Sequence, residues 1–579
     1  MNITKTIVRT AAPYAAVAFD VFDTLIKRDV AKPTDLFRLE GDAFAQARVR
    51  AEGQAREQAD GEITLAQIYA QPGMNAYDPA RECAWELRAC VPNLAVQRAV
   101  QKLRAQGKHI YFVSDMYLPP EQITAMLAHC GYEPFDGGFV SSSYGVQKRS
   151  GGLFRCFLRE TGLHAKEVLF IGDSLRADIL GAALAGIRSW RLPVPALPDA
   201  PFPQSAVAAF VSNRRDGLPS QGEKLGFAVL GALEIAFCRW IHEQRQRNPG
   251  GRVYFLARDM YLTRAIYHCL YPEEETAYLE VSRRSLCPWL LAQREYALLV
   301  QALPRQQLSG AQISGYCGTV CPPAFVQTQF DLKSRDTAVA LYEMFAALQP
   351  PEQAGLVQAY LRQSGIRDGD FLIDIGSGGT TQLLLQHLLG IQLHGLQLSG
   401  DARLRERIPS EQVAVFLSME HEMARLYWVG QPMLERLISQ DIGATVGYLR
   451  NADGTITVRR ETQREDDRVA AAQRGILRFA KEWQASVLRD LPIASQTAID
   501  PFLRMVRKPA VSQVSFLGPI CVEDGGVYPL ADPKRWGHYL RHPAQWKRDL
   551  SAARWKIGFL KKMCPIPVPY DRLYLGVKK

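Results

Sequence analysis

The stretch 15-AAVAFDVFDT-24 decides the fold of the N-terminal third of the chain. Ala15–Phe19 is a short, wholly apolar run, and Asp20 ends it. A run of that kind reads as a strand buried on both faces, with a carboxylate at its C-terminal tip. The pattern recurs at His109–Val113 (HIYFV) and Glu167–Ile171 (EVLFI), and more weakly at Gly138–Val140. Helical patterns at Glu121–His129, Gly152–Glu160 and Ala177–Ala185 separate these runs. Strands alternating with helices imply a parallel, doubly wound sheet. Such sheets bind ligands at the carboxyl ends of their strands. Those ends carry Asp20, Ser114 and Asp173.

A chain of 579 residues is too long for one hydrophobic core. The pattern divides it into an α/β domain at 13–192, a proline-rich linker at 193–216, a second α/β domain at 217–430 and a less regular extension at 431–579. The linker holds Pro193, Pro195, Pro198, Pro201 and Pro203, which fix φ and stiffen the backbone. Residues 33–106 read as helical, with no convincing strand. The clearest strands of the second domain are Arg252–Leu256, Ala277–Val281 and Asp370–Ile375, and Asn451–Thr455 (NADGT) reads as a hairpin turn. Ile110–Pro119 (IYFVSDMYLP) and Val253–Thr263 (VYFLARDMYLT) both place Asp-Met-Tyr-Leu after a buried strand. That echo fits either duplication of a Rossmann-like unit or chance.

The most apolar stretch, Leu225–Ile241, is interrupted by Glu234 and Arg239, so it reads as a buried core helix, not a membrane span. The N-terminal MNITKTIVRTAAPY lacks the apolar core of a secretory signal. Eleven scattered cysteines fit a cytoplasmic protein with free thiols, and Cys317 and Cys321 lack the partner pair a zinc site needs. The net charge is +10, and Lys534–Lys579 alone holds 12 Lys/Arg against 2 Asp. Trp536, Trp546, Trp555 and Phe559 lie in the same segment. A basic, aromatic C-terminal tail fits either a solvated helix or peripheral contact with anionic lipid on the inner face of the membrane. Nucleic acid is a weaker reading.

Four features recur in order along the first domain. They are Asp20-Val-Phe-Asp-Thr24, Ser114, Lys148 ahead of the helical pattern at 152, and Gly172-Asp173-Ser-Leu-Arg-Ala-Asp178. This set resembles the haloacid dehalogenase (HAD) superfamily, over residues 13–192. The resemblance implies a Rossmann-like hydrolase domain with a helical cap inserted at about 33–106. It implies that Asp20 is the nucleophile and that Ser114 and Lys148 hold the transferring phosphoryl group. It also implies that Mg²⁺ is ligated by Asp20, the backbone carbonyl of Phe22, Asp173 and Asp178. The physical logic supports it. A carboxylate approaching a phosphate dianion meets like-charge repulsion, which a hard divalent cation offsets. Lys148 adds a point charge and Ser114 a hydrogen bond.

The sequence departs from the superfamily's phosphatase pattern at one position. The residue two after the nucleophile is normally an acid that protonates the leaving group, and here it is Phe22, with Asp23 one place further on. General acid catalysis is worth roughly 10²–10⁴-fold. Dehalogenases of the superfamily carry an aromatic residue there, but they need no metal, and this chain keeps both metal-site aspartates. Two further readings stand: a leaving group good enough without an acid, or a proton from Asp23 or a cap residue, with binding without turnover as the limit. Arg28, Arg50 and Arg56 of the cap region could contact a phosphorylated ligand.

The whole chain resembles a group of large HAD-like proteins encoded with bacterial surface-polysaccharide biosynthesis. That resemblance rests on FDVFDTLIKR (19–28), SDMYLP (114–119), GDSLRAD (172–178), YFLARDMYL (254–262), VSRRSL (281–286), DIGSGGTTQLL (374–384) and IGATVGY (442–448). It implies a phosphorylated sugar or related metabolite as substrate, with polysaccharide-assembly glycosyltransferases as partners. In the second half, Arg258, Asp259, Arg283, Asp374, Gly376, Gly378 and Thr380 form a candidate phosphate or nucleotide-sugar site. Glycines there would let backbone N–H groups approach an anion at a helix N-terminus. The alternatives are a tight structural turn, a scaffold that binds a phosphorylated ligand and recruits glycosyltransferases, or a sugar transferase in this half.

Overall fold

The computed structural model describes residues 2–304, 307–348, 351–462, 465–523, 527–566 and 568–576. The chain forms two compact units: Met1–Leu218 with Glu482–Pro492, and Pro219–Lys481 with Ile493–Lys579.

The first unit is built on a parallel sheet of β1 (Ala16–Phe19), β2 (His109–Ser114), β3 (Gly137–Val140), β4 (Val168–Gly172) and β5 (Arg188–Arg191). The strand order is β3-β2-β1-β4-β5. All four residues of β1 are fully buried. Val17 and Phe19 pack into one core layer, and Ala16 and Ala18 face the other, against Phe154, Phe157 and Phe170. A central strand covered on both sides has no solvent face, which is why its sequence does not alternate. The chain winds outward from β1 to β3, then crosses back to β4. The order therefore reverses between β1 and β4, the place where a doubly wound sheet opens a crevice at its carboxyl end.

The region 33–106 is mostly helical and includes α1 (Asp42–Gln58) and α2 (Pro79–Ala89). It differs from expectation in one element: Cys90–Pro92 pairs antiparallel with Ile26–Arg28. Three-residue strands are too short to show a period of two. Gln204–Arg215, at the end of the proline-rich stretch, is a helix.

The second unit has its own parallel sheet: β6 (Val253–Leu256), β7 (Thr276–Leu279), β8 (Phe371–Ser377), β9 (His394–Gly400) and β10 (Val413–Val415). The order β10-β9-β8-β6-β7 reverses between β6 and β8. The two Asp-Met-Tyr-Leu segments therefore follow strands of different rank, the second of the first sheet and the first of the second. This placement does not favour duplication. The helices used below are α3 (Gly231–Arg247), α4 (Arg283–Ala292), α5 (Thr380–Leu389) and α6 (His421–Ile438). Gln221–Val229 and α3 together meet the length and hydropathy of a membrane span, but they bend by 44°. Their apolar residues, among them Leu225, Phe227, Leu233, Ile235, Phe237 and Ile241, are buried inside the unit. No single helix among the described residues is long and apolar enough to cross a membrane.

The hairpin forms, with Thr445–Arg450 pairing Ile456–Arg460. The basic segment is not a free tail. It folds into short helices at Trp536–Arg541, Pro543–Ala552, Lys556–Met563 and Tyr570–Gly576. Trp555 and Phe559 are buried, and the Trp555 indole donates to the Val506 carbonyl at 3.1 Å. Trp536 and Leu540 stay exposed. Lys578 and Lys579 lie outside the described residues.

Candidate active site

Asp20 leaves the tip of β1, where its N–H donates to the Ile171 carbonyl of β4 at 2.8 Å. The carboxylate thus stands over the reversal point of the sheet. Lys148, only 3% exposed, sits between two acids. Its ammonium donates to Asp20 Oδ1 at 2.5 Å and to Asp178 Oδ1 at 2.6 Å. The Lys148 backbone N–H is fixed in turn by Asp115 Oδ1 at 2.8 Å. Asp178 reaches back from the turn after β4, which winds as a π-helix over Leu175–Leu180, and its Oδ2 accepts from the Ser174 N–H at 2.9 Å. Such π turns recur at functional sites. Gly172 makes this possible, because a Cβ there would lie 2.4 Å from Asp178 Oδ2.

Oxygens of Asp20, Asp173 and Asp178 all lie within 4.8 Å of one another. Burial pushes the Asp20 carboxyl up to about 8, Lys148 opposes that, and Asp178 and Asp173 add to it. Burial, then Asp178 and Asp23, lift Asp173 to about 6. Three carboxylates against one ammonium leave two negative charges uncompensated when all are ionised. An oxygen-only donor set with that charge fits a hard divalent cation. Ser114 ends β2 beside this cluster, and its Oγ is buried with no hydrogen-bond partner among the described residues. A buried orphan hydroxyl is costly unless a ligand satisfies it.

Residues 14–186 match the family model of haloacid dehalogenase-like hydrolases. The N-terminal unit contains a haloacid dehalogenase-like hydrolase domain. Solved structures similar to it include a HAD phosphatase from Thermococcus onnurineus (16% identity, 32% of this chain and 89% of that one, TM-score 0.25). Another is the putative HAD-hydrolase YfnB from Bacillus subtilis (22% identity, 31% and 88%, TM-score 0.24). A third is the L-2-haloacid dehalogenase from Xanthobacter autotrophicus (18% identity, 32% and 79%, TM-score 0.25). No curated protein matches the chain.

Within the HAD-like domain the position of the usual acid is apolar in fact as well as in name. The Phe22 ring lies under the Arg28 guanidinium, 3.8 Å from its centroid. Asp23 is exposed, with φ of 56°. It lies near enough to raise Asp173. The arginines expected to meet a phosphorylated ligand are mostly engaged elsewhere. Arg28 is held by both oxygens of Glu86, at 2.7 and 3.1 Å, and Arg56 by Glu52 and Glu62. Arg50 is exposed. Asp115 and Glu62 are not singled out by the sequence, and Gly172 enters it only as part of the motif. Glu62 accepts from Ser141 Oγ at 3.1 Å and from Gln147 at 3.2 Å, which ties the helical region to the loop that carries Lys148. Asp115 lay inside the quoted SDMYLP; Glu62 carried no motif.

The second unit has a cavity of about 610 Å³ at the carboxyl end of its sheet. Arg258, Asp259, Arg283 and Asp374 line it, joined by Glu435 of α6, which the sequence did not flag. Gly376, Gly378 and Thr380 do not line it. Gly376 (φ 92°) serves strand packing, since a Cβ there would lie 1.8 Å from the Ser399 carbonyl. The Gly378 carbonyl and Thr380 hydroxyl accept from Arg407, at 3.1 and 2.9 Å. Among these residues the loop turns to Arg407.

Proposed function

We propose that the HAD-like domain is a Mg²⁺-dependent phosphohydrolase or phosphotransferase that works through an aspartyl-phosphate on Asp20. The convergence of Asp20, Asp173 and Asp178 around Lys148 at the sheet's reversal point carries this reading. Mg²⁺ held by Asp20, Asp173, Asp178 and the Phe22 carbonyl would neutralise charge between the carboxylate and the phosphate.

The chain's own residues supply the rest. The sheet and the Ile171 carbonyl orient Asp20. An Asp20 oxygen bonds to phosphorus as the bond to the leaving oxygen breaks, and that oxygen leaves with the electron pair. Lys148, fixed by Asp115 and Asp178, places its charge against the phosphoryl oxygens, and Ser114 donates its unpartnered hydroxyl. Water then cleaves the aspartyl-phosphate, releasing phosphate and restoring the carboxylate. Phe22 cannot protonate the leaving oxygen. The reading therefore favours leaving groups stable as anions, such as anomeric sugar phosphates and acyl phosphates, unless Asp23 supplies the proton. A phosphorylated sugar or related metabolite of surface-polysaccharide assembly is the substrate class, supported by the motif resemblance. The test is phosphate release across a panel of sugar, acyl and simple alkyl phosphates with and without Mg²⁺. Turnover confined to alkyl phosphates, or absent throughout, would overturn it.

Phe22 beneath Arg28 favours a second reading, a domain that binds a phosphorylated ligand without turnover and recruits glycosyltransferases. Phosphate-mimic binding with no release across the same panel would select it. Peripheral membrane contact through 534–579, in a cytoplasmic protein, now rests on the exposed Trp536 and Leu540 among basic residues. Its test is vesicle flotation of a Trp536→Ala, Leu540→Ala chain, since deleting the segment would remove the buried Trp555.

A further inference from the structure

The cavity of the second unit has the features of a ligand site, on grounds independent of the Asp20 cluster. It opens where the strand order reverses between β6 and β8, the general position for ligands in open parallel sheets. Its volume, about 610 Å³, lies within the roughly 300–1,000 Å³ of small-molecule pockets. Its walls hold two kinds of charge from four separate elements. Asp259 follows β6, Asp374 lies on β8, Glu435 is on α6, and Arg283 opens α4.

The partners of these groups narrow the ligand. Asp259 accepts from the Ser439 hydroxyl at 2.9 Å, and Glu435 from Gln431 at 2.9 Å. Arg258, which also lines the cavity, is the cation that acts most strongly on both carboxylates, and neither of them is hydrogen-bonded to Arg283. The Arg283 guanidinium, exposed at the N-terminus of a ten-residue helix, makes no hydrogen bond or ion pair among the described residues. An unpaired guanidinium at a helix N-terminus suits an oxyanion. Recessed carboxyl groups on the opposite elements suit hydroxyls, which both donate and accept. The three acids do not close on one point as Asp20, Asp173 and Asp178 do, so a bare divalent cation is a poor fit.

We propose that this cavity binds a phosphorylated sugar, its phosphoryl group on Arg283 and its hydroxyls on Asp259, Asp374 and Glu435. The experiment is calorimetric titration of the full chain carrying Asp20→Asn, in EDTA, with the 1- and 6-phosphates of glucose, galactose and mannose. Free glucose and inorganic phosphate are the controls. These conditions silence the first domain's chemistry, so the outcome is separate from that of the proposed hydrolase. The expected result is that at least one sugar phosphate binds more tightly than either control. Arg283→Ala should then weaken it roughly ten- to a hundredfold. Asp374→Asn should weaken the sugar phosphate and leave inorganic phosphate unchanged. Arg283 is exposed, so its truncation should leave the fold intact, which near-UV circular dichroism checks. No sugar phosphate binding, or binding indifferent to Arg283→Ala, would overturn the proposal; the latter would assign the signal to the Asp20 site.

Discussion

The two parallel sheets solve the same placement problem with different chemistry. Each has five strands, and each puts acids and a cation where its strand order reverses. In the first, a lysine is locked between two carboxylates and three acids crowd within 4.8 Å. In the second, the acids sit on separate elements around an open cavity and Arg283 is unpaired. Topology thus fixes where a site forms, while spacing decides its use. On the proposed reading, the crowded carboxylates hold a cation beside a nucleophile, whereas the separated ones line a pocket.

That contrast breaks most sharply at Asp20. Asp20→Asn should lower phosphate release by roughly 10³-fold or more while leaving Arg283-dependent binding in place; loss of both would mean the two sites are not independent. Next comes the fold around the first site. Arg48 is fully buried and bidentate to Glu82, at 2.6 and 2.8 Å. Glu82→Ala leaves Arg48 only the part-exposed Glu52, at 3.1 Å, and should destabilise the first unit by about 3 kcal/mol, read by denaturant unfolding. Replacing both partners by apolar residues should recover most of the loss.

The second unit carries a smaller, pH-dependent effect. Burial lifts the fully buried Glu234 of α3 to about 7, and only Thr263 opposes it. Its carboxyl holds a proton in the folded chain that the unfolded chain releases near its ordinary value of 4.5. The unfolded state therefore binds fewer protons between those values, and stability falls as pH rises through that window. Glu234→Gln should flatten that fall, by roughly 3 kcal/mol at most; an unchanged slope would place the titration elsewhere. The smallest effect belongs to Gly172. Gly172→Ala pushes Asp178 off β4, and an ångström of misplacement costs roughly 10²-fold in turnover. Sugar phosphate binding in the second unit should not change.

What was legible in the sequence follows from range. Asp20, Ser114 and Asp173 each end an apolar run, so local pattern alone puts them at one sheet edge. Lys148 and Asp178 follow at short fixed distances from those strands. Glu62 and Glu435 were not legible, because a loop between two helices and a helix, neither carrying a motif, bring them in from distant sequence. Cys90–Pro92 was too short to show a period. The loop at Gly376–Thr380 shows the limit of reading glycine, since freedom to approach an anion and freedom to approach the Ser399 carbonyl look alike in sequence. Trp555 and Phe559 show the same for charge. A basic segment looks like a solvated tail until the face that packs is known.

The most direct test of the account is acid-quenched peptide mapping by mass spectrometry after incubation with acetyl phosphate and Mg²⁺. A phosphoryl group on the peptide containing Asp20, absent from the Asp20→Asn chain, is the expected result. No adduct together with no released phosphate, or an adduct that persists in Asp20→Asn, would contradict it.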